Sequence, residues 1–221
     1  MNNIVLFAVF PYLAVIIAII GTIYRYFDHR FTYSSLSSQL LESRWLFWGS
    51  VTWHYSIITI LLAHLLAALF PSVWQVIVAE PIRLYTMEIT GWALGILSII
   101  GCVFFIARRM TNPRVRAVTS IMDWVLLLSL LGQVILGVWV AMLYRWGAAW
   151  YLYTAVPWFF SLLTLNPQVD LVANLPLIVQ LHFLGGFWIF ALLPFSRLVH
   201  ILPFPITYLW RPYQVVVWNR R

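Results

Sequence analysis

The chain has no lysine, one cysteine and six acidic residues in a length of 221. Charged residues make up 9% of it, against about 25% in an ordinary soluble domain, which excludes water as the main solvent. The single cysteine, Cys102, rules out an intrachain disulfide and an iron–sulfur cluster held by this chain alone, since a cluster takes several thiolates. Cys102 sits in an apolar run and reads as a small packing residue. No Cys-x-x-Cys-His run occurs, so covalent c-type attachment of a haem is excluded. The N-terminus lacks the basic stretch of a secretory signal, and its apolar run is read as a retained helix.

What fills the sequence is apolar: 63% hydrophobic and 18% aromatic residues. A membrane-spanning helix needs about 20 such residues. Five segments qualify, about Ile4–Tyr24, Trp48–Phe70, Glu88–Ala107, Ile121–Leu143 and Leu177–Leu202. The expected fold is an all-α membrane protein, a five-transmembrane-helix bundle forming one domain over residues 1–221 with a tail over 203–221. A net charge of +7 could suggest nucleic acid, but the arginine distribution argues for a membrane. Arg25, Arg30, Arg44, Arg108, Arg109, Arg114, Arg116, Arg197, Arg211, Arg220 and Arg221 fall on one side of the expected spans, Arg83 and Arg145 on the other. Basic residues collect in cytoplasmic loops, so the N-terminus is expected outside and the C-terminus in the cytoplasm. Trp45, Trp48, Trp74, Trp146, Trp150, Tyr208 and Trp210 stand at span ends, as interfacial rings do. The long aromatic stretch from Tyr144 to Asn174 is either an interfacial helix, roughly Trp158–Leu165, or a loop hugging the membrane.

Chemistry is concentrated in histidines. His29 lies in a polar loop and reads as solvated. His54 and His64 fall in the second span, His182 and His200 in the fifth. An ionisable side chain within a span is costly and marks function by default. One such histidine is readily explained by a hydrogen bond to a neighbouring helix; two on each of two helices are not. If those helices run antiparallel as neighbours, His64 meets His182 near the outside and His54 meets His200 near the cytoplasm. The 18-residue step between His182 and His200 makes five whole helical turns at ~100° per residue, and the 10-residue step between His54 and His64 leaves those rings ~80° apart. The rises agree less well, ~15 Å against ~27 Å. Pro194 lies between the ligands of the longer step and is placed to kink it.

Zinc takes four ligands, or three with an open position, which two histidines per level do not supply. Haem iron takes two axial ligands, and so the reading is two b haems, the outer held by His64 and His182, the inner by His54 and His200. Ala63, Gly185 and Gly186 beside the ligands, and the stripe Gly91, Gly95, Ser98 and Cys102, leave room for a flat macrocycle or for close helix packing. Arg114, Arg116 and Arg197 are candidate partners for haem propionates. Haems with both axial sites filled pass electrons, so a donor and an acceptor are needed. A quinol is the natural donor within a membrane, and His64, Arg83 and Tyr85 are the candidate residues at its site. The acceptor belongs to a cytoplasmic partner.

With these residues in view the chain resembles the gamma subunit, a dihaem cytochrome b, of membrane-bound respiratory nitrate reductase. The resemblance runs over nearly the whole chain and is carried by Leu181-His182, by Leu193-Pro194-Phe195-Ser196-Arg197-Leu198-Val199-His200-Ile201, and by Tyr208-Leu209 and Tyr213-Gln214. Asn112-Pro113-Arg114-Val115-Arg116-Ala117, Arg25-Tyr26 and Ser37-Ser38-Gln39 add to it. It implies a multi-pass protein of the prokaryotic inner membrane that oxidises menaquinol or ubiquinol near the outer haem and releases protons outside. It implies the same four haem ligands in the same pairs, and onward transfer to an iron–sulfur beta subunit and a molybdopterin alpha subunit that reduces nitrate. The tail from Pro203 to Arg221 would help anchor those partners. The family pattern has a lysine near the quinol site, and this chain has Arg83 and Tyr85 in that neighbourhood instead. The Tyr144–Asn174 stretch matches poorly.

Three other readings keep different company. The same dihaem path could serve another oxidoreductase complex, sulfite- or disulfide-linked. A proton-coupled transporter would use intramembrane histidines without haem, but carboxylates lie only near helix ends, at Asp123 and Glu88, and no internal repeat is visible. A passive anchor has no use for four such histidines.

Overall fold

The computed structural model describes residues 2–28, 38–202 and 210. His29, Arg30, Arg211, Arg220, Arg221, Tyr208 and the tail from Pro203, Trp210 apart, lie outside the described residues. Those described form helices and turns, with no strand among them. Five helices are long and apolar enough to cross a membrane. They run over Val5–Asp28, Arg44–Leu69, Pro81–Thr111, Ile121–Leu143 and Leu177–Phe195, and their α-helical parts are α1 (Phe10–Asp28), α2 (Arg44–Leu69), α3 (Pro81–Thr111), α4 (Ile121–Leu143) and α5 (Leu177–Leu192). A turn at Asn2–Ile4 and a π-helical turn at Val5–Val9 lead into α1. Only 22–28% of each spanning window is buried inside the protein. Ile20, Leu61, Ile89 and Leu128 are among many large apolar side chains pointing outward, a surface that lipid accepts and water does not.

Local chemistry sets the ends. Proline opens α3, and the Glu80 carboxylate accepts from the Arg83 N–H. Ser120 and Asp123 form a reciprocal capping box at the start of α4. The third helix is longer than the expected Glu88–Ala107, reaching back to Pro81 and on to Thr111. The fifth is shorter than expected. It stops at Leu192 and gives way to a 3-10 turn over Leu193–Phe195, extended backbone at Ser196 and a second 3-10 turn over Arg197–Ile201. Proline lacks the amide hydrogen that would continue the α-helix and crowds the preceding turn. Pro194 therefore accompanies a break rather than a kink, and the angular argument that assumed one continuous helix from His182 to His200 does not describe this segment.

The helices pack in sequence, α2 on α3, α3 on α4, α4 on α5, with α1 closing against α5. Small residues make the seams. A Cβ added at Gly101 would stand 2.8 Å from the Trp53 nitrogen, and one at Gly95 would stand 2.5 Å from Val138 on α4. Ser56 and Ser98 share a buried hydrogen bond of 2.7 Å between α2 and α3. Cys102 is fully buried beside Trp53 and Val134, a packing residue as expected. Gly95, Ser98 and Cys102 thus serve helix packing. At the other seam, Gly21 of α1 admits Pro194, and Arg25 donates to the Pro194 and Ser196 carbonyls at 2.7 and 3.1 Å. Arg25 thereby satisfies carbonyls that the break in the fifth segment leaves without helical partners.

The Tyr144–Asn174 stretch is helical in part, over Gly147–Trp150, Tyr151–Tyr153, Ala155–Leu163 and Asp170–Ala173. The helix over Ala155–Leu163 does not simply lie along the surface. Trp158 is buried against Phe7, Phe183 and Phe187, and its indole N–H donates to the Phe7 carbonyl at 3.0 Å. The Tyr12 hydroxyl donates to the Leu162 carbonyl at 2.9 Å. This stretch ties α1 to α5 at one end of the bundle.

Candidate functional site

α2 and α5 form no extended helix–helix contact among the described residues; they meet at histidines. The His54 and His200 ring centres are 6.2 Å apart. The structure thus brings His54 and His200 together, while the pairing of His64 with His182 rests on the expectation drawn from the sequence.

In three of the four, the ring is held the same way. Nδ1 of His54 donates to the Ser50 carbonyl at 2.8 Å, Nδ1 of His64 to the Ile60 carbonyl at 2.8 Å, and Nδ1 of His200 to the Arg197 carbonyl at 2.6 Å. A hydrogen bond at Nδ1 fixes the tautomer and leaves Nε2 as the free electron-pair donor, which is how metal-binding histidines are prepared. An imidazole nitrogen binds a metal at about 2.0–2.1 Å and lies a little over about 1 Å from its ring centre, so two imidazoles on opposite sides of one metal have ring centres about 6 Å apart. The 6.2 Å between His54 and His200 meets that spacing. The donor set, an imidazole on each side with no carboxylate or thiolate of α2 or α5, suits haem iron rather than zinc.

His182 differs. Its Nδ1 faces the Gln133 carboxamide nitrogen at 3.2 Å, and that nitrogen also donates to the His182 carbonyl at 2.8 Å. Gly137, one turn along α4 from Gln133, lies flush with the ring: a Cβ there would stand 2.9 Å from His182 Cε1. Gln133 was not singled out in the sequence, although a long polar side chain midway along an apolar helix is a signal.

Around His64 the site gathers aromatic rings. Tyr151 meets it edge to face with centres 5.5 Å apart. Burial pushes the Tyr151 hydroxyl above its ordinary value of 10.0, so the phenol is neutral at physiological pH. Ala63, Leu84, Met87 and Tyr151 belong to one packed cluster, which brings the neighbours of Arg83 and Tyr85 to this end of the bundle. Tyr85 is exposed and stacks edge to face on Trp146 at 4.8 Å. Arg83 is already engaged: it donates to the Ile77 and Val76 carbonyls at 2.9 and 3.1 Å, capping the helix over Pro71–Val78.

At the opposite end, Arg197 forms a two-pronged pair with Asp123, at 2.5 and 3.2 Å. Arg114 and Arg116 are exposed on the short helix Pro113–Ala117, which Asn112 caps. Two other arginines are more deeply placed. Arg108 is 1% exposed and paired with Glu42 at 2.7 Å. Arg109 has a buried Nε without a hydrogen-bond partner among the described residues.

Fold and site together define an all-helical protein of membrane type, with histidines in the second and fifth spanning segments and one opposed pair, His54 and His200. Residues 3–219 match the nitrate reductase gamma subunit family. The chain belongs to that family. It is 32% identical over 224 residues to the nitrate reductase gamma chain of Bacillus subtilis (strain 168), covering 100% of both chains. It is 33% identical over 223 residues to the respiratory nitrate reductase 1 gamma chain of Escherichia coli (strain K12), covering 97% of this chain and 96% of that one. It is 35% identical over 210 residues to the nitrate reductase-like protein NarX of Mycobacterium tuberculosis (strain ATCC 25618 / H37Rv), and that match covers 93% of this chain and 32% of the relative, so the chain spans about a third of that protein's length.

Proposed function

We propose that this chain, residues 1–221 as one domain, is the dihaem cytochrome b subunit of a quinol:nitrate oxidoreductase in a prokaryotic cytoplasmic membrane. The observation that carries the reading is the 6.2 Å spacing of His54 and His200, two rings from antiparallel segments each with Nδ1 bonded to a backbone carbonyl. His54 and His200 hold an inner haem; His64 and His182 hold an outer one. When bound, each haem would supply a one-electron carrier. The residues of this chain do the rest. The paired imidazoles fix two levels through the thickness of the bundle, and its apolar faces keep water from them.

A menaquinol or ubiquinol headgroup is bound at the His64 end, where Tyr151 and Tyr85 offer ring faces and His64, its Nδ1 on the Ile60 carbonyl, borders the headgroup as a ligand of the outer haem. Arg83, already bonded to backbone carbonyls, orders that surface. Quinol oxidation there gives up two protons on the outer side and two electrons, which leave by the inner level. The orientation follows the arginine bias, with the N-terminus outside and the C-terminus cytoplasmic. Arg114 and Arg116 are propionate partners at the inner end; Arg197 acts there through its pair with Asp123. Electrons pass to an iron–sulfur beta subunit and then to a molybdopterin alpha subunit that reduces nitrate. Family membership favours nitrate over a sulfite- or disulfide-linked acceptor, and haem over a proton-coupled transporter.

The test is the pyridine haemochrome of the purified complex together with the identity of its subunits. Two b haems per copy of this chain, and co-purifying iron–sulfur and molybdopterin subunits, are expected. A chain free of haem, or one bound to a different reductase, overturns the reading.

A further inference from the structure

We infer that Gln133 is the positioning residue for His182 and sets the reduction potential of the outer haem separately from that of the inner one. The inference rests on the dihaem reading above. Three histidines orient their rings through a backbone carbonyl on their own segment, His54 through Ser50, His64 through Ile60 and His200 through Arg197. His182 is bonded instead to a side chain of another helix. A main-chain carbonyl is fixed by its helix and is much the same at every site. A side-chain carboxamide is a variable that substitution can tune.

The surroundings are shaped to hold that carboxamide. Gly185, one turn beyond His182 on α5, has no side chain where Gln133 lies: a Cβ there would stand 2.1 Å from the Gln133 Oε1. Gly137, one turn beyond Gln133 on α4, leaves room for the ring itself. The Gln133 Oε1 is buried and has no hydrogen-bond partner among the described residues. The amide nitrogen takes both polar atoms of His182, the carbonyl oxygen at 2.8 Å and Nδ1 at 3.2 Å.

That arrangement has a chemical consequence. With the amide nitrogen donating to Nδ1, the imidazole proton resides on Nε2, and Nε2 has no electron pair for iron. A half-turn of the carboxamide, which gives up the 2.8 Å bond from its nitrogen to the His182 carbonyl, presents its oxygen to Nδ1, moves the proton to Nδ1 and frees Nε2. Ligation at His182 therefore requires the orphaned oxygen to become the acceptor of the Nδ1 proton. An acceptor at Nδ1 raises the basicity of a ligating imidazole and favours the oxidised metal. Gln133 thus lowers the outer potential and leaves the inner one alone, because the inner ligands are oriented by Ser50 and Arg197.

Optical potentiometric titration of the intact complex, with EPR of the two low-spin ferric haems, tests this in wild type, Gln133→Leu and Gln133→Glu. Gln133→Leu is expected to raise the outer midpoint by at least tenfold in the one-electron equilibrium constant, about 59 mV, with the inner midpoint unmoved. Gln133→Glu keeps an oxygen acceptor and is expected to restore the wild-type potential or go below it. Loss of the outer haem in Gln133→Leu, with retention in Gln133→Glu, also supports the role. Two haems with unchanged potentials and unchanged EPR signals in Gln133→Leu overturn the inference and leave the dihaem reading standing. Equal shifts of both haems, or the same shift in both variants, overturn it too, since either marks a general packing effect. Wild type without two haems overturns the reading underneath.

Discussion

Replacing Arg108 with methionine removes the most deeply buried charge in the described structure. Its guanidinium makes four hydrogen bonds: to Glu42 Oε2 at 2.7 Å, Ser38 Oγ at 2.9 Å, the Ser38 carbonyl at 2.8 Å and the Glu42 carbonyl at 2.7 Å. These tie the residues just before α2 to the end of α3. Breaking a buried ion pair from one side costs about 3–5 kcal/mol. Glu42 is 16% exposed and keeps the N–H groups of Trp45 and Leu46, at 2.7 and 3.3 Å, so its carboxylate is not wholly abandoned. That moves the expected loss to about 3 kcal/mol, at the low end of the range. An ordinary hydrogen bond between membrane helices contributes only about 0.6 kcal/mol, so the two accounts are well separated. Unfolding in mixed detergent micelles, followed by tryptophan fluorescence, gives the measurement. Glu42→Gln and the double variant complete a cycle with an expected coupling of about 1–2 kcal/mol. A loss below about 1 kcal/mol for Arg108→Met, or single effects that simply add, refutes the argument that this pair pins α2 to α3.

The same pair predicts a pH dependence. Burial works to raise the Glu42 carboxyl, but the Trp45 N–H, the Arg108 guanidinium and the Leu46 N–H hold it below its ordinary value of 4.5. A depressed folded value means the contribution is fully present above pH 4.5 and is lost as pH falls through that lower value; wild type should weaken in acid more steeply than Glu42→Gln in the same micelles. Gly101→Ala puts a Cβ 2.8 Å from the Trp53 nitrogen, which is backbone and cannot swing aside, so a loss of about 1–3 kcal/mol is expected with reduced haem content; unchanged unfolding and haem would mean the seam is looser than drawn. His54→Ala and His200→Ala are each expected to leave one haem per chain, of outer character, and His64→Ala and His182→Ala one of inner character. Two haems in any of the four, measured as the pyridine haemochrome, would break the pairing.

The spans were legible because each is a long apolar run, and α4 follows the expected Ile121–Leu143 to the residue. The histidines stood out because an ionisable side chain in a span is rare, and the structure sets His54 against His200. What the sequence could not convey was tertiary. Pro194 signalled a disturbance but not the full break, which depends on Gly21 and Arg25 of α1 filling and bonding the gap in the backbone ladder. Gly185 looked like space for a macrocycle and is occupied by Gln133 from another helix. Tyr151 lies in the stretch with the weakest pattern, and only the folding of that stretch over α2 brings it to His64. Arg108 counted as one more basic residue at a span end; its burial depends on Ser38 and Glu42, far away in sequence.

The helices bearing the histidines are each anchored elsewhere: α2 on α3 through Gly101 and the Ser56–Ser98 bond, α5 on α4 through Gln133 and Gly137, and the broken end of the fifth segment on α1 through Arg25. The distance between opposed rings is therefore set at seams that contain none of the rings. This division has a physical reason. If α2 and α5 packed directly on each other, inserting a flat group between them would cost the whole of that contact. With each held by its own partner, a pair of imidazoles can face across a fixed separation, and binding need supply little beyond the metal–nitrogen bonds. Preorganisation of this kind raises affinity by lowering the cost of ordering. It also localises control, because Gln133 reaches one level and the Arg197 carbonyl the other, so that two chemically similar sites on the same two segments can be tuned apart.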